Sequence, residues 1–153
     1  MHIRAAKAAD SAGVSLVLQE LVAAGQRSKP ADLEFARSHY VEHPDQLMCS
    51  VAETDADGII GLQSLKIATS ANAYGTPVGY GIIGTHIRPQ FKRLGAGRLL
   101  FQHTYEAAKQ SNLRAIEACI GPKNETGIAF YEALGFVTYR RFGHSKCKRI
   151  WVR

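Results

Sequence analysis

The sequence lacks a long hydrophobic run. No apolar stretch approaches the roughly 18 residues that a membrane-spanning helix requires, and the first ten residues, MHIRAAKAAD, have no apolar core of the kind found in signal peptides. With 153 residues, of which 46% are hydrophobic and 21% charged, the chain has an ordinary globular composition. We therefore expect a single domain over residues 1–153, with no membrane segment and a cytoplasmic location.

Cysteine is also scarce. The three cysteines, Cys49, Cys119 and Cys147, are far apart and show no C-x-x-C spacing, so the sequence indicates neither a metal site nor a disulfide framework. Cys49 and Cys119 lie in apolar, strand-like runs, where a cysteine is more often a small core residue than a nucleophile.

Two common nucleotide-binding patterns are missing as well. There is no Gly-Lys-Ser/Thr of a Walker A loop, and the third glycine of a dinucleotide fingerprint is replaced by Leu100. The net charge is +6, but the basic residues cluster at 92–98 and 140–153 without a nucleic-acid-binding motif. An anionic substrate or a phosphorylated cofactor is therefore a better expectation than nucleic acid.

Hydrophobic periodicity and turn residues predict seven strands and four helices. The predicted strands are His2–Arg4, Leu47–Thr54, Ile59–Ala68, Val78–Ile87, Leu113–Ile120, Phe136–Phe142 and Cys147–Val152, and the predicted helices are Ala8–Ala24, Ala31–Glu42, 96–110 and Asn124–Leu134. This order indicates an α/β fold, a mixed sheet with helices on both faces. The apolar face of the third helix is predicted to consist of Ala96, Leu99, Leu100, His103 and Ala107.

The most informative stretch is FKRLGAGRLL, in which two cations and two glycines precede the third helix. The start of a helix presents unpaired backbone N–H groups and the positive end of the helix dipole. Because Gly95 and Gly97 have no side chains, the phosphates of a ligand can approach these N–H groups closely. The arrangement therefore suits a pyrophosphate. A tight loop with solvated cations is the alternative that the turn alone leaves open.

A second pattern, NETGIAFYEALGF, begins at Asn124, which is predicted to cap the fourth helix, and contains Tyr131. Seven residues of α-helix turn through about 700°, so two side chains at this spacing would project within about 20° of each other and about 10 Å apart along the axis. An extended ligand could lie along that face. The alternative is that Tyr131 is an ordinary amphipathic core residue.

These two stretches carry a family resemblance. Lys92-Arg93-Leu94-Gly95-Ala96-Gly97 resembles the (Gln/Arg)-x-x-Gly-x-(Gly/Ala) acyl-CoA signature of the GNAT superfamily of N-acetyltransferases, and NETGIAFYEALGF resembles that family's second motif. The close resemblance covers residues 78–139, and the one departure, Lys92 at the first signature position, keeps the positive charge. It implies a GNAT-like fold, a mostly antiparallel sheet flanked by helices, and acetyl-CoA as acyl donor without a metal.

The resemblance also implies roles for individual residues. The CoA pyrophosphate would be held by the backbone amides of Leu94, Gly95, Ala96, Gly97 and Arg98, with Lys92 and Arg93 nearby. The strand edge at Ile87 would pair with the pantetheine arm, Asn124 would contact that arm, and Tyr131 would protonate the departing thiolate.

Three points stay open in the sequence. The strand before the signature, VGYGIIGTHI, has no carboxylate, so the general base could be His86, Glu117 or a water relay. The acceptor, an amine of a small molecule or a protein, would bind near residues 21–43, a region of mixed charge that holds Arg27, Glu34, His39, Tyr40 and His43. A non-catalytic acyl-CoA-binding sensor is the alternative to an enzyme, and the edge of the closing hairpin could support a homodimer.

Overall fold

The computed structural model describes residues 1–153 and contains one seven-stranded sheet. Its strands are β1 (His2–Ala5), β2 (Gln46–Thr54), β3 (Gly58–Ile67), β4 (Gly81–Ile87), β5 (Ala115–Ile120), β6 (Val137–Phe142) and β7 (Ser145–Trp151). They are arranged in the order β1-β2-β3-β4-β5-β7-β6. All neighbouring strands are antiparallel except β4 and β5, so the predicted mixed, mostly antiparallel sheet is confirmed.

The helices cover both faces of this sheet. They are α1 (Ser11–Ala23), α2 (Leu33–Phe35, which continues as the π-helical segment Ala36–Val41), α3 (Ala96–Gln110) and α4 (Glu125–Leu134). The longest of them, α3, is amphipathic, and none of the helices combines the length and the apolar character needed to cross a membrane.

Each face of the sheet has its own core because successive side chains of a strand point in opposite directions. On one face, side chains of β2 and β3 pack against α1 and α2; this core contains Val14, Val17, Leu18, Tyr40, Cys49, Val51 and Leu62. On the other face, β3, β4 and β5 pack against α3 and α4; this core contains Leu65, Ile83, Phe101, Ala107, Ile116, Tyr131 and Phe136. The predicted layers of helix, sheet and helix are therefore confirmed.

Two predicted details are wrong. The strand predicted as Val78–Ile87 begins only at Gly81, because Gly79 adopts a positive φ of 88° and the preceding Val78 is 69% exposed. The buried face of α3 is also rotated about the helix axis by roughly 70° from the predicted one. Its buried residues are Ala96, Leu100, Phe101, Thr104, Ala107 and Ala108, whereas the predicted face members Leu99 and His103 are exposed.

Candidate active site

The sheet opens between β4 and β5. These parallel strands pair only at Gly81 with Ile116 and at Ile82 with Glu117, near the start of both strands. Beyond those pairs β4 is bonded only to β3, so from Ile83 onwards one of its edges has no strand partner. A peptide-like chain could pair with this edge in the way that an added strand does.

The turn that follows β4 leads directly into α3. It contains two residues with positive φ, Arg93 at 66° and Gly95 at 88°. Gly95 is the N-cap of α3, and no side chain caps the helix there. The first amides of α3, including those of Ala96 and Gly97, therefore lack an intrahelical acceptor, as the anion-cradle interpretation requires.

The two signature positions require glycine for different structural reasons. Gly95 has a left-handed conformation and open space around it, since no atom lies within 4 Å of the position of an added Cβ. An added Cβ at Gly97 would instead lie 2.7 Å from Cε1 of Phe130 on α4. Gly97 thus allows α3 and α4 to approach each other, a structural reason for this glycine that the sequence did not indicate.

The cations of the turn are unequally placed. Arg93 and Arg98 are exposed and form no salt bridge, so both are available to an anion at the helix start. Lys92 is half-buried and donates to Oε1 of Gln26, and desolvation lowers the pKa of its ammonium group.

Tyr131 lies on α4 and points at β4. Its side chain is buried between the rings of Phe130 and Phe136, and its hydroxyl is 2.9 Å from Oγ1 of Thr85. Burial raises the pKa of the phenol to about 12, and the hydrogen bond to Thr85 opposes this shift. Tyr131 therefore keeps its proton at neutral pH, as a proton donor must.

A polar row on the same face of the sheet holds this hydroxyl. Gln63 of β3 pairs with Thr85 of β4 across the ladder, and its Nε2 donates to Thr85 Oγ1 at 3.0 Å. Because Thr85 accepts this hydrogen bond, its own proton can be donated to the oxygen of Tyr131, which leaves the phenolic proton free. Gln63 and Thr85 were not identified in the sequence, although Gln63 is a polar residue in an otherwise apolar strand.

Asn124 takes the predicted position of a helix cap. Its Oδ1 accepts from the backbone N–H of Gly127 at 3.0 Å. Its own backbone, with φ −89° and ψ 70°, lies outside the helix, so the rotation expected between Asn124 and Tyr131 within one helix does not apply. Asn124 is exposed, whereas Tyr131 is buried.

Glu117 is strongly held by its neighbours. Its carboxylate accepts from Arg140 at 2.7 Å, from the Thr76 hydroxyl at 2.6 Å and from the Tyr139 hydroxyl. Burial opposes ionisation, but these donors outweigh it and lower the pKa of the carboxyl group. A carboxylate engaged in this way is a poor general base.

Two of the three cysteines, Cys119 and Cys147, lie beside this carboxylate. The Glu117 carboxylate and the thiols of Cys119 and Cys147 lie within 4.8 Å of one another, but Arg140 and its neighbours already occupy the carboxylate oxygens that a metal would need. Burial raises the pKa of the Cys119 thiol, and it raises that of Cys49 to about 12. Both effects oppose thiolate formation.

His86 follows Thr85 in β4 and therefore faces the opposite side of the sheet. Its ring packs edge-on against Tyr40, with 5.2 Å between the ring centroids. Burial and the charges of Arg27 and Lys29 lower the pKa of His86 to about 3. The imidazole is thus neutral at physiological pH and only weakly basic.

The residues around Tyr40 come from distant parts of the chain. Arg27 donates to the Tyr40 hydroxyl at 3.1 Å, and Lys66 of β3 lies 5.5 Å from the centre of its ring. Lys29 donates to the hydroxyl of Tyr74 at 3.1 Å. The sequence had indicated Arg27 and Tyr40 as part of the acceptor region but not the two lysines; an isolated lysine in the apolar strand Gly58–Ile67 was the available signal for Lys66.

Comparison with known proteins gives one match to a family model. The sequence model of the acetyltransferase (GNAT) family matches residues 15–136. No curated protein sequence matches the chain.

Solved structures share the fold at low sequence identity. A GCN5-related N-acetyltransferase from Kribbella flavida has a TM-score of 0.79 at 19% identity, over 98% of this chain and 96% of its own. The structure of yncA from Salmonella typhimurium with acetyl-CoA has a TM-score of 0.73 at 19% identity, covering 99% and 94%. The PaiA N-acetyltransferase from Thermoplasma acidophilum, in complex with coenzyme A, has a TM-score of 0.74 at 17% identity, covering 98% of both chains.

The match to the family model extends over most of the chain, from α1 to the end of α4, and includes both the uncapped turn before α3 and the tyrosine that faces β4. Together with the shared fold, it shows that this chain belongs to the GNAT family of acetyltransferases.

Proposed function

We propose that the protein transfers the acetyl group of acetyl-CoA to a primary amine by direct attack. The observation that carries this proposal is the position of Tyr131, a protonated phenol fixed by Thr85 beside the free edge of β4. A general acid at this point can protonate a sulfur leaving group that lies in the opening between β4 and β5.

The turn before α3 supports binding of the donor. Backbone amides of residues 94–98 and the exposed guanidinium groups of Arg93 and Arg98 would hold the pyrophosphate, and Lys92 would add positive charge. The pantetheine arm carries amides that can pair with the β4 edge up to Ile87, and the free amide N–H₂ of Asn124 would contact that arm. The acyl-CoA of the related yncA and the coenzyme A of PaiA are consistent with such a ligand.

The reaction needs two proton movements. The amine nitrogen forms a bond to the thioester carbonyl carbon, backbone amides near Ile87 stabilise the oxyanion, and the carbon–sulfur bond breaks as Tyr131 gives its proton to sulfur. The proton of the attacking amine goes to water. We favour this water relay because Glu117 is fully engaged and His86 is a weak base.

The direct test combines calorimetry with a thiol-release assay. We expect saturable binding of acetyl-CoA, and release of CoA thiol that depends on added amine. No binding of acetyl-CoA would refute the proposal. Binding without thiol release from any amine of a broad panel would favour the alternative, a non-catalytic acyl-CoA sensor.

We also propose, as a separate point, that the closing hairpin of β6 and β7 forms the interface of a homodimer. Strand β6 lies at the edge of the sheet, and its side chains Val137 and Phe142 are 66% and 44% exposed. An exposed edge of this kind can pair with a second copy. A monomer mass from light scattering at working concentration would contradict it.

A further inference from the structure

Three basic side chains meet on the acceptor face of the sheet. Arg27 and Lys29 lie in the loop between α1 and α2, and Lys66 lies on β3. Arg27 and Lys66 both contact the ring of Tyr40, with 5.7 Å and 5.5 Å from their charged groups to its centre. We call Arg27, Lys29 and Lys66 the cation cluster.

The cation cluster has no acidic partner. None of its three members forms a salt bridge, whereas the basic residues Arg4, Arg37, Arg88 and Arg140 all do. The buried carboxylate on this face, Glu117, is already paired with Arg140. Asp45 acts on Lys66 only at longer range, without an ion pair.

The charges act on one another and on the strand beside the opening. Burial lowers the pKa of Lys66 to about 8, and the charge of Lys29 contributes to this shift. Arg27, Lys29 and Lys66 all contribute to the lowered pKa of His86, which places their field on β4 next to its free edge. Like charges held together in this way are destabilising unless an anion joins them.

We propose that the amine acceptor is a small molecule that carries an anionic group, a carboxylate or a phosphonate, and that the cation cluster binds this group. The inference rests on the proposed acetyl transfer, because it assigns the acceptor of that reaction. Charge-assisted hydrogen bonds from Arg27 and the two lysines would fix the anionic end of the acceptor, while its amine reaches towards the opening between β4 and β5.

The same field favours the reactive form of the acceptor. A nearby positive charge disfavours an ammonium ion and lowers its pKa. An amine that enters beside the cation cluster would therefore lose its proton more readily, and the neutral amine is the nucleophile. A polyamine would be repelled by the cluster, so polyamines are expected to be poor acceptors.

The test uses pairs of amines in which one member carries an anionic group and the other carries a neutral group. Glycine, phenylalanine and 2-aminoethylphosphonate are compared with glycinamide, phenylalaninamide and ethanolamine, and spermidine is included as a polycation. We expect at least one anionic amine to exceed its neutral partner by about tenfold or more in kcat/KM, the effect of a single charge-assisted hydrogen bond. Equal or higher kcat/KM for the neutral amines or for spermidine would overturn the inference.

Variants of the cation cluster test whether it binds the anionic group of the acceptor. Arg27→Gln and Lys66→Gln are each expected to raise the KM for the anionic amine by about 10- to 100-fold and to leave the KM for acetyl-CoA unchanged. Lys109→Gln, which removes an exposed charge on α3, is the matched control and should change neither constant. An unchanged anionic preference in both cluster variants would also overturn the inference.

A binding measurement separates this inference from the proposed function. With CoA present, N-acetylphenylalanine should bind more tightly than N-acetylphenylalaninamide in calorimetry, and Lys66→Gln should remove the difference. Transfer to neutral amines with equal binding of the two products would refute the anionic acceptor and leave acetyl transfer intact. Preference for the carboxylate product without any thiol release would support the anion site and refute the acetyl transfer.

Discussion

Thr85 and His86 are neighbours in β4, yet their side chains face two differently built regions. On the Thr85 side, neutral groups form a hydrogen-bonded row from Gln63 through Thr85 to Tyr131. On the His86 side, the cations Arg27 and Lys66 surround the ring of Tyr40 without an acidic partner. The first region holds the Tyr131 hydroxyl in a fixed position, whereas the second creates a positive electrostatic field.

The two regions therefore suit different functions. A proton donor needs a fixed direction, which hydrogen bonds to a strand provide. A region that selects among charged molecules needs unpaired charge, even at some cost in stability. We therefore expect changes beside Thr85 to alter the rate of the chemical step, and changes beside His86 to alter acceptor choice and the pH dependence of stability.

The largest expected effect is that of Tyr131→Phe. This variant keeps the buried ring but removes the proton, so kcat should fall by about 10²- to 10⁴-fold, the usual range for an acid–base group. The affinity for acetyl-CoA and the melting temperature should barely change. Steady-state kinetics, calorimetry and a thermal melt measure these quantities.

Tyr105→Phe is the control for that variant. Tyr105 uses its hydroxyl for contacts with the backbone of Trp151 and Arg153, so its loss should leave kcat unchanged. His86→Gln tests whether His86 is the general base. If water accepts the amine proton instead, the kcat of this variant should stay within a few-fold of the wild-type value. Wild-type turnover of Tyr131→Phe, where chemistry limits the rate, would remove the phenol from the mechanism.

Thr85→Val should have a smaller effect on the same step. The variant leaves the Tyr131 hydroxyl and the Gln63 amide without their shared partner, so kcat should fall by about tenfold, corresponding to one hydrogen bond. Thr85→Ser, which retains the hydroxyl, should restore most of the activity. Equal kcat for the valine and serine variants would show that the polar row does not position Tyr131.

The two glycines of the turn should respond differently to alanine. Gly97→Ala forces a Cβ against Phe130 and should lower the free energy of unfolding by about 1–3 kcal/mol, the usual cost of overpacking. Gly95→Ala meets no neighbour but strains a left-handed residue, at about 1–2 kcal/mol. Urea unfolding measures both changes.

A second substitution separates the two causes. Phe130→Leu should recover stability in the Gly97→Ala background but not in the Gly95→Ala background, because only the former involves a contact with the ring. Additive effects of Gly97→Ala and Phe130→Leu would contradict the assignment of Gly97 to helix packing.

A further expected effect is a slope of the free energy of unfolding with pH. The pKa of His86 is lowered to about 3 and that of His39 to about 4, whereas an unfolded histidine titrates near 6.5. Unfolding therefore takes up protons below pH 6.5, so the contribution of these neutral histidines is complete above that pH and is lost as the pH falls towards 4 for His39 and towards 3 for His86. The slope should stay below about 1.4 kcal/mol per pH unit for each histidine.

Urea unfolding over this pH range measures that slope. His86→Gln should flatten it, while His144→Gln, at an exposed turn between β6 and β7, should not. A stability that rises as the pH falls from 6.5 would contradict the neutral state of His86.

The sequence by itself determined the main elements, their order and the family resemblance. Strand and helix periodicity, the glycines of the turn before α3 and the Asn124 cap are local patterns, and the forces that fix them act within a few residues. For this reason the fold class and the helix cap agree with the structure, and the family resemblance with the family match.

Only the tertiary structure decided how distant residues meet. The rotation of α3 that buries Thr104 in place of His103, the contact between Gly97 and Phe130, and the neutralisation of Glu117 by Arg140 all depend on packing between separate elements. The cation cluster likewise joins a loop at residues 27–29 to β3 at Lys66, a spacing that carries no local signal. Burial and long-range charge act through space, so they become visible only when the chain is folded.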